Sequence, residues 1–285
     1  MAGGAALLGL VGYAGWRQSA PPGYCAEGMV ALHDEANHLS RCCGAGQKLR
    51  QGRCFGPPSS CAAGMLPSPE GCQPLRHAVA IPGGHLRLAP SDWEAAAVVK
   101  ETELDVPGFG LDSHEVTEAD WQRCVAANRC VERPLSGEPG RPMVQVTMLE
   151  AEQYCRAQGG RLPRSSELGW AAAGAAGRRY PWGDTGAVCR RAAFGLEDGP
   201  CAYGATGPEL AGSHPSGASP EGIHDLAGNV AEWSVGDQAA EAGPSSAEAR
   251  GGSWQQTAAS ALRSWSSRSV PADTRSSAIG LRCAY

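Results

Sequence analysis

Hydrophobic positions keep a helical period at only three places along this chain. Thr117-Glu118-Ala119-Asp120 opens the first as a capping box, with Trp121, Cys124 and Val125 on one face of the helix that follows. Thr147-Met148-Leu149-Glu150 opens the second, which carries Ala151, Tyr154 and Cys155 inward and stops at Gly159-Gly160. A third short helix is predicted over residues 166–173. Elsewhere the pattern is one of short strands and turns. Val79-Ala80-Ile81-Pro82-Gly83-Gly84 and Leu86-Arg87-Leu88 read as strands around a turn, and the long remainder after the third helix repeats that style. A few helices packed on irregular β structure predict an α+β fold.

Upstream of residue 77 even this periodicity fades. Cys25, Cys42, Cys43, Cys54, Cys61 and Cys72 stand among Gly, Pro and Ser turn formers, with little apolar surface to bury. Such a segment needs staples. The adjacent Cys42-Cys43 does not supply the Cys-x-x-Cys knuckles of a metal site, so disulfides are expected, with their pairing left open. Residues 5–16 form a short apolar run followed by Arg17 and Pro21-Pro22, below a comfortable membrane span and close to a signal-peptide core. No Lys or Arg precedes the run, so a short membrane anchor is the alternative. The organisation read from the chain is therefore 1–20 signal peptide or anchor, 21–76 Cys-rich stapled segment, and 77–285 principal domain.

Composition sharpens this picture in two ways. With 39 Gly, 21 Pro and 8 Trp against 3 Phe, the chain suits a loop-rich fold anchored by large amphipathic rings. Twelve cysteines, an even number, point to an oxidising, extracytoplasmic compartment. Cys124 with Cys130, and Cys189 with Cys201, are short-range pairing candidates. Charge is mildly acidic, 24 basic against 29 acidic side chains, and no basic stripe is present, which excludes nucleic acid as a partner.

Common catalytic patterns are missing. The seven histidines, at 33, 38, 77, 85, 114, 214 and 224, are scattered singly, without metalloprotease spacing. There is no Gly-x-Ser-x-Gly elbow and no phosphate-binding loop. His224 beside Asp225 reads either as an acid/base pair or as a solvated turn histidine.

Seven phrases then fall in order. They are His114-Glu115-Val116-Thr117 leading to Trp121; Arg141-Pro142-Met143-Val144-Gln145-Val146-Thr147; and Gly160-Arg161-Leu162-Pro163 with Glu167. Tyr180-Pro181-Trp182-Gly183, Gly228-Asn229-Val230-Ala231-Glu232-Trp233, Arg250-Gly251-Gly252-Ser253-Trp254 and Gly280-Leu281-Arg282-Cys283 follow. Together they resemble the sulfatase-modifying-factor domain, the formylglycine-generating enzyme family, whose loop-rich topology is similar to that of C-type lectins. On physical grounds Trp182, Trp233 and Trp254 are expected as core rings, and Gly251-Gly252 as a tight turn of close backbone approach.

The resemblance implies a disulfide between Cys155 and Cys283. In catalytic relatives two cysteines after the Gly-Gly-Ser-aromatic turn hold copper(I) and convert a substrate cysteine to formylglycine with oxygen. Here those positions are Gln256 and Ala261, neither of which replaces a soft thiolate, so copper is not expected. A structural calcium is implied at Asp225 and Glu232 by side chain and at Gly228 and Val230 by main chain. A second calcium site, needing an amide near Ala193 and a carboxylate near Cys201, lacks both. The expectation is a non-catalytic, exported binding or structural module for a protein or glycan ligand, with residues 185–220 and 234–249 as the ligand-facing loops. The alternative is an oxidoreductase of the same family acting by an altered mechanism.

Overall fold

Three small hairpins open the described chain. In the computed structural model β1 (Met29–Asp34) pairs with β2 (Leu39–Gly44), β3 (Lys48–Arg50) with β4 (Arg53–Phe55), and β5 (Met65–Ser68) with β6 (Gly71–Pro74), all antiparallel. The structure describes residues 25–34, 39–62, 65–69, 71–74, 76–90, 99, 101–237 and 247–285. The signal peptide or anchor expected over residues 1–20, and the middle of the 234–249 loop, lie outside them. Isolated hairpins are marginal in water, and here Cys25–Cys42, Cys43–Cys54 and Cys61–Cys72 cross-link them. Met29, Met65 and Cys72 pack with Leu210 of the following domain, so the segment rests on that domain. Glu138 fixes the contact, accepting from Arg41 Nη1 at 2.8 Å and from the Cys54 amide at 3.2 Å.

The strands predicted around Pro82-Gly83 do form, as β7 (Ala78–Ile81) and β8 (Gly84–Leu88), but they do not pair with each other. β8 pairs with β9 (Thr102–Val106), and β7 with β10 (Phe109–Asp112). The result is one long antiparallel ribbon, broken where Pro82-Gly83 faces Pro107-Gly108. Prolines carry no N–H for the ladder, and a Cβ on Gly83 would sit 2.6 Å from both Val106 O and Gly108 N.

The helices follow their predicted starts closely. In α1 (Glu118–Ala126) Thr117 and Asp120 cap each other, and Trp121 and Cys124 are buried. In α2 (Met148–Ala157) Thr147 and Glu150 do the same, with Met148, Ala151, Tyr154 and Cys155 inward. Burial alone would raise the Glu150 carboxyl. Hydrogen bonds from Arg275 (2.7 and 2.8 Å), Arg133 and the Thr147 amide instead hold it at about 2. The third helix, α3 (Ser165–Ala173), begins one residue earlier than predicted and is buried on every side. Its cap is Glu167, which accepts from the Arg164 amide at 2.8 Å and is clasped by Arg161 at 2.6 and 2.7 Å.

The central sheet has the order β13-β12-β11-β14, from β11 (Ala231–Val235), β12 (Ala247–Arg250), β13 (Ser267–Ser269) and β14 (Ile279–Gly280). β14 lies parallel to β11, with Glu232 opposite Gly280. Just beyond it Ala284 bridges both Leu111 and Arg161, so the final residues touch the ribbon and the approach to α3. Cys155–Cys283 ties α2 to the same place, Cys124–Cys130 and Cys189–Cys201 close the two short loops, and no cysteine is left free. Trp233 and Trp254 are core rings, hydrogen-bonded to Val146 O and Ser277 O at 3.0 Å each. Trp182 is only half-buried and stacks on Tyr180. The loop 185–220 is largely interior: Ala192, Phe194, Leu196 and Cys201 pack around Trp254 instead of facing solvent throughout.

Candidate functional site

Where β11, β14 and the loop before β11 meet, several charged side chains are enclosed together. Arg282, fully buried, donates from Nε and Nη2 to the two oxygens of Glu232 at 2.7 and 2.6 Å. Its remaining hydrogens reach Asp112 O at 2.9 Å and His224 O at 2.7 Å. Glu115, also fully buried, accepts from Asn229 Nδ2 at 2.9 Å and from the Val230 amide at 3.3 Å. Asn229 sits in the left-handed region at φ 53°, which turns its amide between Glu115 and the Glu209 N–H. Asp225, at φ 56°, accepts from the Gly212 amide at 2.6 Å.

Burial, then the neighbouring Asp225 and Glu232 charges, pushes the Glu115 carboxyl well above the usual carboxylate range. Burial raises Glu232 as well, against the pull of Arg282. Ring stacking adds to the enclosure: His114 lies 4.3 Å from His224, centroid to centroid. Burial, and after it His224 and Arg282, lowers the His114 imidazole to about 2, so it stays neutral. His224 is half-buried and pushed down chiefly by burial, and no hydrogen bond joins its ring to Asp225 among the described residues. The arrangement locks chain segments together.

The four positions implied for calcium lie in one stretch, yet both carboxylates among them are already engaged. Glu232 gives both oxygens to Arg282, and Asp225 turns to Gly212. Among the described residues no three His, Cys, Asp or Glu side chains converge as a ligand group. As the side chains stand, this set does not fit a calcium ion, because Glu232 would first have to leave Arg282. Unfolding followed with calcium and with chelator is therefore expected to give midpoints within about 1 °C, whereas site saturation at a hundredfold excess over Kd would add about 2.7 kcal/mol. A rise of several degrees with calcium would mean that Glu232 exchanges partners.

The turn expected to hold copper in catalytic relatives is closed by its own side chains. Gln256 Oε1 accepts from the Ser253 amide at 2.7 Å and from Ser253 Oγ at 2.6 Å. Ala261 lies in a 3-10 turn, Ala259–Leu262, with its carbonyl against Gly252. Gly252 is left-handed at φ 70°, and a Cβ there would meet Ala261 O at 2.6 Å, so both the angle and the space require glycine.

Sequence reading missed Glu115, Arg282 and Asn229 as members of one buried group. Each stands inside a recognisable phrase, and a charged residue flanked by apolar ones, as in Gly280-Leu281-Arg282-Cys283, was the available signal.

Among the described residues, short sheets, three α-helices, long interior loops and a strand near residue 280 inserted beside β11 define a loop-rich, C-type-lectin-like α+β domain, preceded by a small Cys-rich disulfide segment. Residues 65–285 match the Sulfatase-modifying factor enzyme 1-like domain, and the chain belongs to that family. It is 36% identical over 167 residues to hercynine oxygenase of Mycolicibacterium thermoresistibile, covering 46% of this chain and 36% of that one. It is 33% identical over 153 residues to inactive C-alpha-formylglycine-generating enzyme 2 of Bos taurus, covering half of each. The chain thus spans between about a third and half the length of these relatives. Among solved structures, Treponema denticola variable protein 1 is similar with TM-score 0.58 at 18% identity, over 74% of this chain and 99% of that one. PvdO from Pseudomonas aeruginosa is similar with TM-score 0.57, also at 18%, over 75% and 94%. At such identities these likenesses concern the fold.

Proposed function

We propose that this protein is a non-catalytic, exported module of the sulfatase-modifying-factor type that binds a protein or glycan partner. The observation that carries the reading is the pair Gln256 and Ala261, with Gln256 folded back on Ser253 where catalytic relatives carry copper thiolates. All twelve cysteines are consumed in disulfides, so no thiolate elsewhere in the chain substitutes for the missing pair. One of the similar proteins carries the word inactive in its own name. Export is supported by the six disulfides, which persist in oxidising compartments. No helix among the described residues is long and apolar enough to cross a membrane.

Another reading, oxidoreduction by an altered mechanism, draws on the similarity to hercynine oxygenase. One assay separates the two. The purified chain is titrated with Cu(I) and incubated in air with a cysteine-containing peptide while oxygen uptake and thiol are followed. The expected result is no stoichiometric tight copper binding and no thiol loss above the protein-free control. Turnover would overturn the non-catalytic reading.

A further inference from the structure

The seam between the Cys-rich segment and the domain encloses a basic cavity of about 260 Å³. Arg41 of β2 and Arg53 of β4 approach it from the segment, and Arg141, Tyr203 and Gly204 from the domain. No carboxylate is among the residues that line it. Arg41 is 3% exposed and spends Nη1 on Gly52 O at 2.5 Å and Glu138 at 2.8 Å, but its buried Nη2 has no hydrogen-bond partner. Arg141 is paired with the same Glu138 carboxylate, its Nε lying 2.5 Å from Oε2. Two buried guanidiniums thus share one carboxylate, and Arg41 keeps a donor in reserve.

The other nearby acids are committed. Glu209 holds His214 at 2.6 Å, and Glu118 accepts from the Ser136 and Gly137 amides at 2.8 and 3.2 Å. Burial first, and Arg41 second, lowers the Arg141 guanidinium from its ordinary value, as expected for two cations held close together. Buried donors normally find acceptors, and a guanidinium fork matches the planar or tetrahedral oxygens of an oxyanion.

We propose that this seam is a binding site for a small oxyanion-bearing ligand, whose carboxylate, sulfate or phosphate group takes the spare donor of Arg41 beside the Arg141 guanidinium, with Arg53 at the mouth. A cavity of this size is just below the range of ordinary small-molecule pockets, roughly 300–1,000 Å³, and suits a ligand no larger than a sugar acid. The site stands apart from the question of catalysis. Arg41 and Arg53 precede residue 65, where the family match begins, so the cavity depends on the segment joined to the domain in this chain.

The test uses the full purified chain in calorimetric titrations with sodium sulfate, sodium phosphate and sodium glucuronate, at ionic strength fixed with chloride. Saturable binding near one equivalent is expected for at least one of them. Equal affinities for all three would identify a general oxyanion site; a preference for glucuronate would identify a sugar-acid site. Removing Arg41 would unseat Glu138, so the decisive variant is Arg53→Ser, at an exposed position, with Arg268→Ser of β13 as an equally exposed control. Arg53→Ser is expected to weaken binding about tenfold, the scale of one charge-assisted hydrogen bond, and Arg268→Ser to leave it unchanged. No saturable binding by any of the three anions, or equal affinity in the wild-type and Arg53→Ser chains, would overturn the proposal.

Discussion

Arg282→Met is expected to destabilise the fold by about 3–5 kcal/mol, because it leaves the Glu232 carboxylate buried without its partner. The guanidinium is fully enclosed and makes four hydrogen bonds, two to Glu232 and two to the carbonyls of Asp112 and His224. Removing it strands all three acceptors. The double variant Arg282→Met/Glu232→Leu is expected to recover much of the loss, since apolar side chains of similar volume often replace a buried ion pair at little cost. Guanidinium-chloride midpoints of wild type, both single variants and the double variant close the cycle. A single-variant loss under about 1 kcal/mol would mean that water reaches Glu232 and that the enclosure described above is wrong.

Loss of the Cys155–Cys283 disulfide is the second large effect. The bond spans 128 residues, and the chain-entropy relation gives about 5 kcal/mol for a loop of that length. The Cys124–Cys130 bond spans 6 residues and the same relation gives about 2 kcal/mol. Paired Cys→Ala variants of each bond, compared by denaturant midpoint, are expected to rank in that order. The reverse ranking would show that strain or residual structure in the unfolded chain outweighs loop length.

What the sequence made legible was local. Both capping boxes lie within four residues of their helices, so Thr117 and Thr147 could be read directly, and the inward faces followed from the period. The start of α3 was displaced by one residue because its cap comes from Glu167 inside the helix, supported by Arg161, and not from a Ser ahead of it. The partners of β7 and β8 were not legible, since each lies more than a dozen residues away in the chain. The disulfides of residues 25–72 were countable but not assignable, because pairing there depends on which hairpins lie side by side.

The family phrases carried the fold because their order records which loops meet. They carried less about the site. Asp225 and Glu232 were implied as calcium donors by the family resemblance, while Arg282, fifty residues beyond Glu232, holds that carboxylate from just past the neighbouring strand β14. Long-range pairing of charges is invisible to spacing. The copper positions were different: the absence of sulfur at Gln256 and Ala261 is a property of residue type, and only the Gln256–Ser253 closure needed the structure.

The placement of residues 279–284 at the centre of the fold has a consequence for the order in which the chain matures. Five of the six disulfides join cysteines no more than 17 residues apart and can close as each short stretch emerges. Cys155 cannot. At synthesis rates of roughly 5–20 residues per second, the 128 residues separating it from Cys283 take roughly 6–26 s to appear. Thiol oxidation in an oxidising compartment falls in the same time range. Through that interval one sulfur on α2 is left without its native partner while its neighbours pair, and residues 279–284 decide whether the domain closes correctly.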